Sequence, residues 1–212
     1  MKIGEIRKFS LIDYPEKPSV VLFTSGCNLR CPWCHNWEIA YGDKTSNDKT
    51  ESVKMILKDL RKHLDAVCVT GGEPTINSDL PELVEFLKLT GYAVKVDSNG
   101  TNPKMVRRLL KIVDYFAIDI KARPQKYPLL TGVQNNVWDS VSETVEILRK
   151  NDVRYELRMT YVAGLSDMED IRFFDDFSIH GERIFLTFAQ DTEIFKTSEK
   201  LPIIESQKIT IR

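Results

Sequence analysis

The sequence predicts an α/β protein whose strands form an open, partial (β/α)6 barrel, and three observations lead to this prediction. Short β-rich runs alternate with amphipathic helical stretches from residue 19 onward. Several of these runs are continuously apolar, as in residues 20–23, which is typical of parallel strands buried on both faces. Six alternations in 212 residues are fewer than the eight units, usually about 250 residues long, that close a full barrel.

Six segments have the composition of strands and are predicted to form the sheet. They are residues 19–24, 66–70, 92–96, 115–120, 153–160 and 183–188. In parallel sheets and barrels, functional side chains cluster at the carboxyl ends of the strands. We therefore expect any active site to be built from the loops that follow these segments.

The helical stretches between the strands carry the usual signals of helix starts. Residues 52–64 place apolar side chains at three- and four-residue steps. Asn102 followed by Pro103 predicts an N-cap with proline at the first helical position. The spacing from Ser166 to Glu169 is that of a capping box.

The chain is expected to be a single domain of residues 1–212, because no linker, repeat or low-complexity tract interrupts it. Residues 1–18 are expected to be an N-terminal extension that forms a short hairpin or an edge strand. Residues 19–188 would form the partial barrel, and residues 189–212 a C-terminal tail that covers its open side.

Composition excludes several classes of partner. The 30 basic and 31 acidic residues leave a formal net charge of -1, so there is no general attraction to nucleic acid or to an anionic membrane. No apolar run approaches the roughly 20 residues of a membrane span, and residues 1–5 lack a signal-peptide core. We expect a cytoplasmic protein with neither nucleic acid nor a membrane as its partner.

Three of the four cysteines lie close together, directly after the first predicted strand. Cys27, Cys31 and Cys34 have the spacing CxxxCxxC. Thiolates are soft ligands that suit iron–sulfur clusters or zinc. Since a fully protein-ligated [4Fe–4S] cluster takes four cysteines, three leave one iron open to a non-protein ligand. Reductive cleavage of S-adenosylmethionine requires such an open iron, so the motif predicts radical chemistry.

A structural zinc site is the alternative for these cysteines, and it needs a fourth ligand. His35 adjoins Cys34 too closely to serve easily, and Cys68 lies in the middle of a predicted strand. Cys68 is better interpreted as a small buried hydrophobic residue.

Two motifs together resemble those of the radical S-adenosylmethionine (radical SAM) superfamily. The three-cysteine motif resembles the cluster motif of that superfamily, and the segment TGGEP at residues 70–74 resembles its glycine-rich element. The segments CHN at 34–36, DSNG at 97–100 and DIK at 119–121 are more specifically similar to activating enzymes of glycyl-radical proteins, such as the pyruvate formate-lyase activator.

The narrowest resemblance is to the longer form of the anaerobic ribonucleoside-triphosphate reductase activating protein. It depends on residues 9–15, on Lys121-Ala122 and on Lys126-Tyr127. The resemblance extends from about residue 3 to about residue 165, and the last forty or so residues match only loosely.

This resemblance implies a barrel of the radical SAM type and a specific activity. A [4Fe–4S] cluster on Cys27, Cys31 and Cys34 would bind S-adenosylmethionine and cleave it reductively. The 5′-deoxyadenosyl radical would then generate a glycyl radical on a partner enzyme, most similar to anaerobic ribonucleoside-triphosphate reductase. A small electron donor such as flavodoxin or ferredoxin would supply the electron.

The resemblance also assigns binding of S-adenosylmethionine to a set of residues. Gly72 would let the backbone approach the methionine amino group, although Gly71-Gly72 could simply be a turn. Trp33 and His35 would lie against adenine and ribose, although Trp33 could only pack over the loop. Arg158 would face the cofactor carboxylate. The full set is Trp33, His35, Gly71, Gly72, Glu73, Asn99, Asp119, Lys121, Arg158 and Gln190. Gln190 falls where the pyruvate formate-lyase activator carries a histidine.

A monovalent cation site is a further implication of the resemblance. Asp97, Ser98 and Asp119, with the carbonyl of Ala117, would supply hard oxygen ligands suited to an alkali ion. The alternatives are that Asp97 only caps the turn at 97–100, and that Asp119 and Lys121 form a simple salt bridge.

Two other functions stay open at this stage. One is a radical SAM enzyme that acts on a small molecule or a peptide, for example a deazaguanine-forming enzyme. Many enzymes of this type that modify peptides carry extra cysteine clusters, and the chain has no second cluster. The other is a zinc-binding module without catalysis.

Overall fold

The structure is a computed structural model that describes residues 1–41, 50–197, 202, 204 and 206–212. Its strands are β1 (Ile3–Ser10), β2 (Ser19–Thr24), β3 (Ala66–Gly71), β4 (Ala93–Ser98), β5 (Tyr115–Asp119), β6 (Arg154–Tyr161), β7 (Ile184–Phe188) and β8 (Ile209–Ile211). Its helices are α1 (Trp37–Ala40), α2 (Thr50–Leu60), α3 (Leu80–Leu89), α4 (Pro103–Leu109), α5 (Tyr127–Thr131), α6 (Trp138–Arg149) and α7 (Met168–Phe177).

All eight strands belong to one sheet, in which the spatial order is the order along the chain. β1 pairs with β2 antiparallel, and every later pair is parallel. The strands at the two ends, β1 and β8, do not pair with each other, so the sheet is open. This arrangement confirms the predicted α/β fold with an open, partial barrel. The six predicted strands are β2–β7, and β8 is an additional short strand that the sequence did not indicate. The division into extension, barrel and tail stays a prediction.

The two faces of the sheet differ sharply in polarity. Val94 and Val96 on β4 belong to the main apolar core, which includes buried residues of the helices. Their neighbours Lys95 and Asp97 point to the opposite face, because side chains alternate along a strand. On β6, Glu156 and Arg158 lie on the same inner face as these two residues, since they form ion pairs with them. The inner face of β4 and β6 is therefore charged, whereas the inner face of β2 and β3 carries the apolar side chains of Val21, Phe23 and Cys68.

The predicted N-cap is correct for α4 and is one residue too early for α7. Asn102 caps α4 as predicted, since its side chain accepts a hydrogen bond from Met105 N. The capping box of α7 begins at Asp167 rather than at Ser166, and its second member is Asp170 rather than Glu169. Both aspartates also pair with Lys126, in the segment between β5 and α5, which favours the shifted start.

Within the described residues, no helix combines the length and the apolar composition needed to cross a membrane.

Candidate active site

The three clustered cysteines line one cavity of about 280 Å³ at the carboxyl ends of the parallel strands. Hydrogen bonds hold the loop that carries them. Arg30 N donates to Thr131 O at 2.8 Å, and the Tyr41 hydroxyl donates to Cys31 O at 2.9 Å. Cys68 lies apart from this loop, fully buried in β3.

Burial raises the pKa of all three thiols above the ordinary value, to about 11 for Cys27 and about 12 for Cys31. The thiols are therefore protonated at neutral pH until a metal displaces the protons. In the part of the chain that the structure describes, no three His, Cys, Asp or Glu side chains converge on a single metal ion. Three thiols that line one cavity fit a [4Fe–4S] cluster in which each cysteine binds its own iron and one iron stays open.

The glycine-rich segment lies directly against the cysteine loop. Gly72 N donates to Thr24 O and Glu73 N donates to Gly26 O, each at 2.8 Å. A Cβ atom at Gly72 would lie only 2.0 Å from Gly26 O, and Gly71 has a φ of +106°. The close approach of the two loops therefore requires glycine at 72, independently of any cofactor. Gly71 and Gly72 also line the cavity, and their contact with S-adenosylmethionine stays a prediction.

Glu73 joins the loops that follow β3 and β4. Its carboxylate is 1% exposed and accepts hydrogen bonds from Thr75 N, Ser98 Oγ and Asn99 N at 2.7–3.0 Å. Burial raises the pKa of Glu73, while these donors favour its ionised form. Both oxygens thus have protein partners, and a role in cofactor binding stays a prediction. By accepting from Thr75 N, Glu73 also caps a short 3-10 helix, Pro74–Ile76, and this cap was not anticipated from the sequence.

Asn99 lies beside the cysteine loop. Its Nδ2 donates to Asn28 Oδ1 at 2.9 Å and is 4.0 Å from Cys27 Sγ. Its Oδ1 accepts from Thr101 N at 3.0 Å. This network connects the loop after β4 to the first cysteine of the motif.

Asp97 and Asp119 share the guanidinium of Arg158. Arg158 is 2.9 Å from Asp97 and 3.0 Å from Asp119, while Lys95 pairs with Asp97 at 2.6 Å and Lys121 with Asp119 at 2.8 Å. Burial raises the pKa of each aspartate, but these cations together hold both pKa values below the usual range. The salt bridge expected as the alternative for Asp119 and Lys121 is present.

The predicted monovalent cation would have to share these carboxylates with Arg158. Ser98 Oγ, its third predicted ligand, donates instead to Glu73 at 2.8 Å. The cation site stays a prediction, now with an arginine already between its two aspartates. Lys95 was missed at the sequence level, although a single lysine between Val94 and Val96 in an apolar strand was a usable signal.

Packing contacts hold Trp33 at one wall of the cavity. Its Nε1 donates to Leu130 O at 3.1 Å, and Lys121 Nζ lies 5.1 Å from a ring centroid. His35 also lines the cavity and is exposed. Their contacts with adenine and ribose stay predictions.

The cavity brings together every predicted site residue except Gln190 and Ala117, whose carbonyl was a predicted cation ligand. Gln190 follows the end of β7, is exposed, and is absent from the lining. The cavity is also lined by Leu29, Asn36, Ala40, Thr70 and Thr160. Asn36 donates to Gly71 O at 3.3 Å, and its place in the segment CHN was the only signal for it.

Comparisons with known proteins identify the family of this chain. The family model described as Radical SAM superfamily matches residues 21–177. A candidate glycyl-radical enzyme activating enzyme of Methanocaldococcus jannaschii is 35% identical over 176 residues, which are 80% of this chain and 72% of the relative. The pyruvate formate-lyase-activating enzyme of Clostridium pasteurianum is 28% identical over 178 residues, with the same shares of each chain.

Two further matches are less complete. The 7-carboxy-7-deazaguanine synthase of Aquifex aeolicus is 39% identical over 84 residues, which are 40% of this chain and 37% of the relative. The structure of Streptococcus suis SuiB bound to precursor peptide SuiA has a TM-score of 0.69 at 17% identity, covering 85% of this chain and 41% of SuiB, and it shows the fold alone. The family match runs from within β2 to the end of α7 and includes the cysteine loop, and on that evidence this chain belongs to the radical SAM superfamily.

Proposed function

We propose that this protein is an activating enzyme that generates a glycyl radical on a partner enzyme. The observation that carries the proposal is the extent of similarity, combined with the site. A relative named for this activity matches 80% of the chain, twice the share matched by the deazaguanine synthase. The resemblance of residues 9–15 favours anaerobic ribonucleoside-triphosphate reductase as the partner.

The residues at the cavity fit the cofactors that this activity requires. Cys27, Cys31 and Cys34 would hold a [4Fe–4S] cluster, and three ligands leave one iron open. When bound, the cluster supplies the electron that cleaves S-adenosylmethionine, whose 5′-deoxyadenosyl radical takes a hydrogen atom from a glycine Cα of the partner. Lys121 and Arg158 offer cations for the cofactor carboxylate, and the buried Trp33 excludes water from one wall.

The open sheet supports a protein as the substrate. The unpaired ends β1 and β8 leave the barrel unclosed, so a loop of a large partner has a lateral route to the site. A small electron donor such as flavodoxin or ferredoxin would reduce the cluster.

An anaerobic assay tests this function directly. The reconstituted protein is mixed with a reductant, S-adenosylmethionine and anaerobic ribonucleoside-triphosphate reductase, and electron paramagnetic resonance is recorded. We expect a glycyl doublet on the reductase and none in a reductase variant whose radical glycine is alanine. A doublet that forms only with a different glycyl-radical enzyme would support the activity and point to that enzyme as the partner.

A small-molecule radical enzyme is the second candidate, favoured by the partial match to the deazaguanine synthase. In that case no glycyl doublet would form with any partner. A low-molecular-weight fraction of cell extract would instead accelerate formation of methionine and 5′-deoxyadenosine.

A further inference from the structure

A second and larger cavity, of about 710 Å³, lies inside the barrel. Its walls are inner-face residues of β4, β6 and β7, the loop of residues 11–16 between β1 and β2, and Arg183 and Arg212. It shares only Arg158 with the lining of the cysteine cavity. Its volume lies within the range of about 300–1,000 Å³ that is typical of ligand sites.

The cations of this cavity are not equally neutralised. Lys95 and Arg158 are paired with the buried aspartates at the inner face. Arg183 has no carboxylate oxygen within 4.0 Å among the described residues, and its guanidinium lies 5.7 Å from the ring centroid of Phe185. Arg212 lies on the same ring at 3.3 Å and reaches Glu156 at 3.3 Å.

Glu156 cannot neutralise both arginines. It is 1% exposed, it also accepts a hydrogen bond from Tyr115 at 3.1 Å, and it lies 3.9 Å from Lys95. The lining also includes Asp13 and Glu16, but their carboxylates pair with Arg7 at 3.8 Å and with Arg154 at 3.9 Å, which lie outside the lining. Arg183 and Arg212 are both exposed, so the two guanidinium groups leave an excess of positive charge where the cavity meets solvent. Guanidinium groups bind carboxylates and phosphates through paired hydrogen bonds.

The same entrance also has an apolar side. Leu11 and Ile12 are 68% and 83% exposed and line the cavity. Apolar groups beside paired arginines suit a polypeptide that carries an acidic residue next to an aliphatic one. A free inorganic anion would make no use of Leu11 and Ile12.

We propose that this barrel cavity binds an acidic segment of the polypeptide substrate, and that Arg183 and Arg212 select its carboxylate. The proposal rests on the proposed function, because that function supplies a polypeptide substrate. The loop of residues 11–16 leads into the start of β2, so the segment would dock at the amino ends of the parallel strands, on the other side of Arg158 from the cysteine cavity. It would anchor the partner there rather than carry the glycine itself.

Equilibrium binding tests the proposal without any radical chemistry. The probes are the capped hexapeptide Gly-Leu-Asp-Glu-Gly-Gly and its neutral counterpart Gly-Leu-Asn-Gln-Gly-Gly, each titrated into the full-length, anaerobically prepared protein by calorimetry. We expect the acidic peptide to bind about tenfold more tightly, with a preference that weakens as salt increases. Arg183→Gln and Arg212→Gln should each remove most of this preference, and Arg183→Lys should keep part of it.

Arg107→Gln is the matched control. Arg107 is an exposed arginine of α4 that pairs with Glu143 at 2.9 Å and lies outside both cavity linings. This variant should bind both peptides as the wild type does. Equal binding of the two peptides by the wild type, or an equal loss in Arg107→Gln, would overturn the proposal.

A separate titration with inorganic phosphate alone identifies the source of the anion. Binding of phosphate that depends on Arg183, without binding of the acidic peptide, would show a small-anion site and overturn the polypeptide proposal. Because no cluster turnover is needed, peptide selectivity can hold even when the glycyl-radical assay fails, so the two failures are distinguishable.

Discussion

At the scale of single residues, the loops after β2 and β3 approach so closely that Gly72 has no room for a Cβ atom. The residue that would contact the cofactor is thus also one that lets two backbone segments pack together. Substitutions here act on the cysteine loop before they act on the cofactor, because the atom in the way is Gly26 O.

Gly72→Ala should therefore reduce iron incorporation as well as cofactor binding. Overpacking of this kind costs about 1–3 kcal/mol and forces Gly26 and the adjoining Cys27 to move. Iron content after anaerobic reconstitution and thermal stability are the measurements. Gly181→Ala is the control, since a Cβ there meets nothing within 4 Å, although its φ of +89° carries a strain of about 1 kcal/mol. Normal iron content in Gly72→Ala would show that the backbone contact is unimportant.

The cysteines differ in role according to their position. We expect Cys27→Ala, Cys31→Ala and Cys34→Ala each to lose the cluster, because each would remove one of its three proposed ligands. Cys68→Ala should retain it, since Cys68 is fully buried in β3 away from the cavity. Iron and sulfide content and the brown visible absorption distinguish the variants. A Cys68→Ala protein unable to assemble a cluster would contradict the three-ligand arrangement.

The proposed cation site leads to a prediction about Arg158, which already binds the two aspartates that would hold the ion. A monovalent ion must compete with Arg158 for Asp97 and Asp119, so replacing a bulky organic cation with potassium should raise S-adenosylmethionine cleavage only modestly in the wild type. Arg158→Gln exposes the two carboxylates and should respond more strongly relative to its own baseline, whereas Asp97→Asn should respond less. Cleavage rates measured at matched ionic strength check this. If all three proteins cleave S-adenosylmethionine at the same rate in every cation, the proposed cation site is wrong.

At the scale of elements, the loops at the site are held by helix caps and by bonds between loops. Asn102 caps α4 through its Oδ1, and its Nδ2 donates to Thr75 O at 2.6 Å. The same side chain therefore begins a helix and fastens the segment that follows Glu73. The position of Glu73 depends on this link as well as on its own hydrogen bonds.

Asn102→Ala should lower the free energy of unfolding by about 1–2 kcal/mol, because it removes the cap and leaves the Thr75 carbonyl without its donor. Asn102→Asp keeps an acceptor for Met105 N and loses only the donor, so it should cost less. Urea unfolding of the three proteins measures the difference. Equal stability of the alanine and aspartate variants would mean that the cap itself contributes little.

At the scale of the whole molecule, a network of charged side chains crosses the inner face of the sheet at β4, β5 and β6. Lys121, Asp119, Arg158, Asp97 and Lys95 alternate in sign across three strands and the segment that follows β5. Such a buried network is expensive to break, because removal of one partner leaves an unpaired charge in a region of low dielectric. Because the aspartates of this network lose their charge in acid, the stability of the folded protein should depend on pH.

Asp119→Asn should reduce the amount by which the free energy of unfolding falls in acid. The pKa of Asp119 in the folded protein lies below its unfolded value of about 3.9, so its contribution is present above that pH and is lost as the pH falls toward the folded pKa. The variant should be less stable at neutral pH and lose less stability between about pH 5 and pH 3. Urea unfolding at a series of pH values measures this, with the exposed Asp139→Asn as a control for lost charge. Parallel pH curves for wild type and Asp119→Asn would contradict the network.

The sequence by itself determined the six parallel strands, the α4 cap and the cysteine motif with its family resemblance. These depend on local regularities: the period of a buried strand, the chemistry of a helix start, and the spacing of ligands within eight residues. Such signals are carried by neighbouring residues and survive without knowledge of the fold.

The tertiary structure alone decided which charges meet and which glycine is sterically required. Asp97 and Arg158 are 61 positions apart, and their contact depends on the register of β4, β5 and β6. The same holds for the clash at Gly72, for the exposed position of Gln190 and for the pairing of Arg212 with Glu156. A one-residue shift of register would turn each inner charge to the apolar face, so these contacts are set by the packing of the whole sheet rather than by any local pattern.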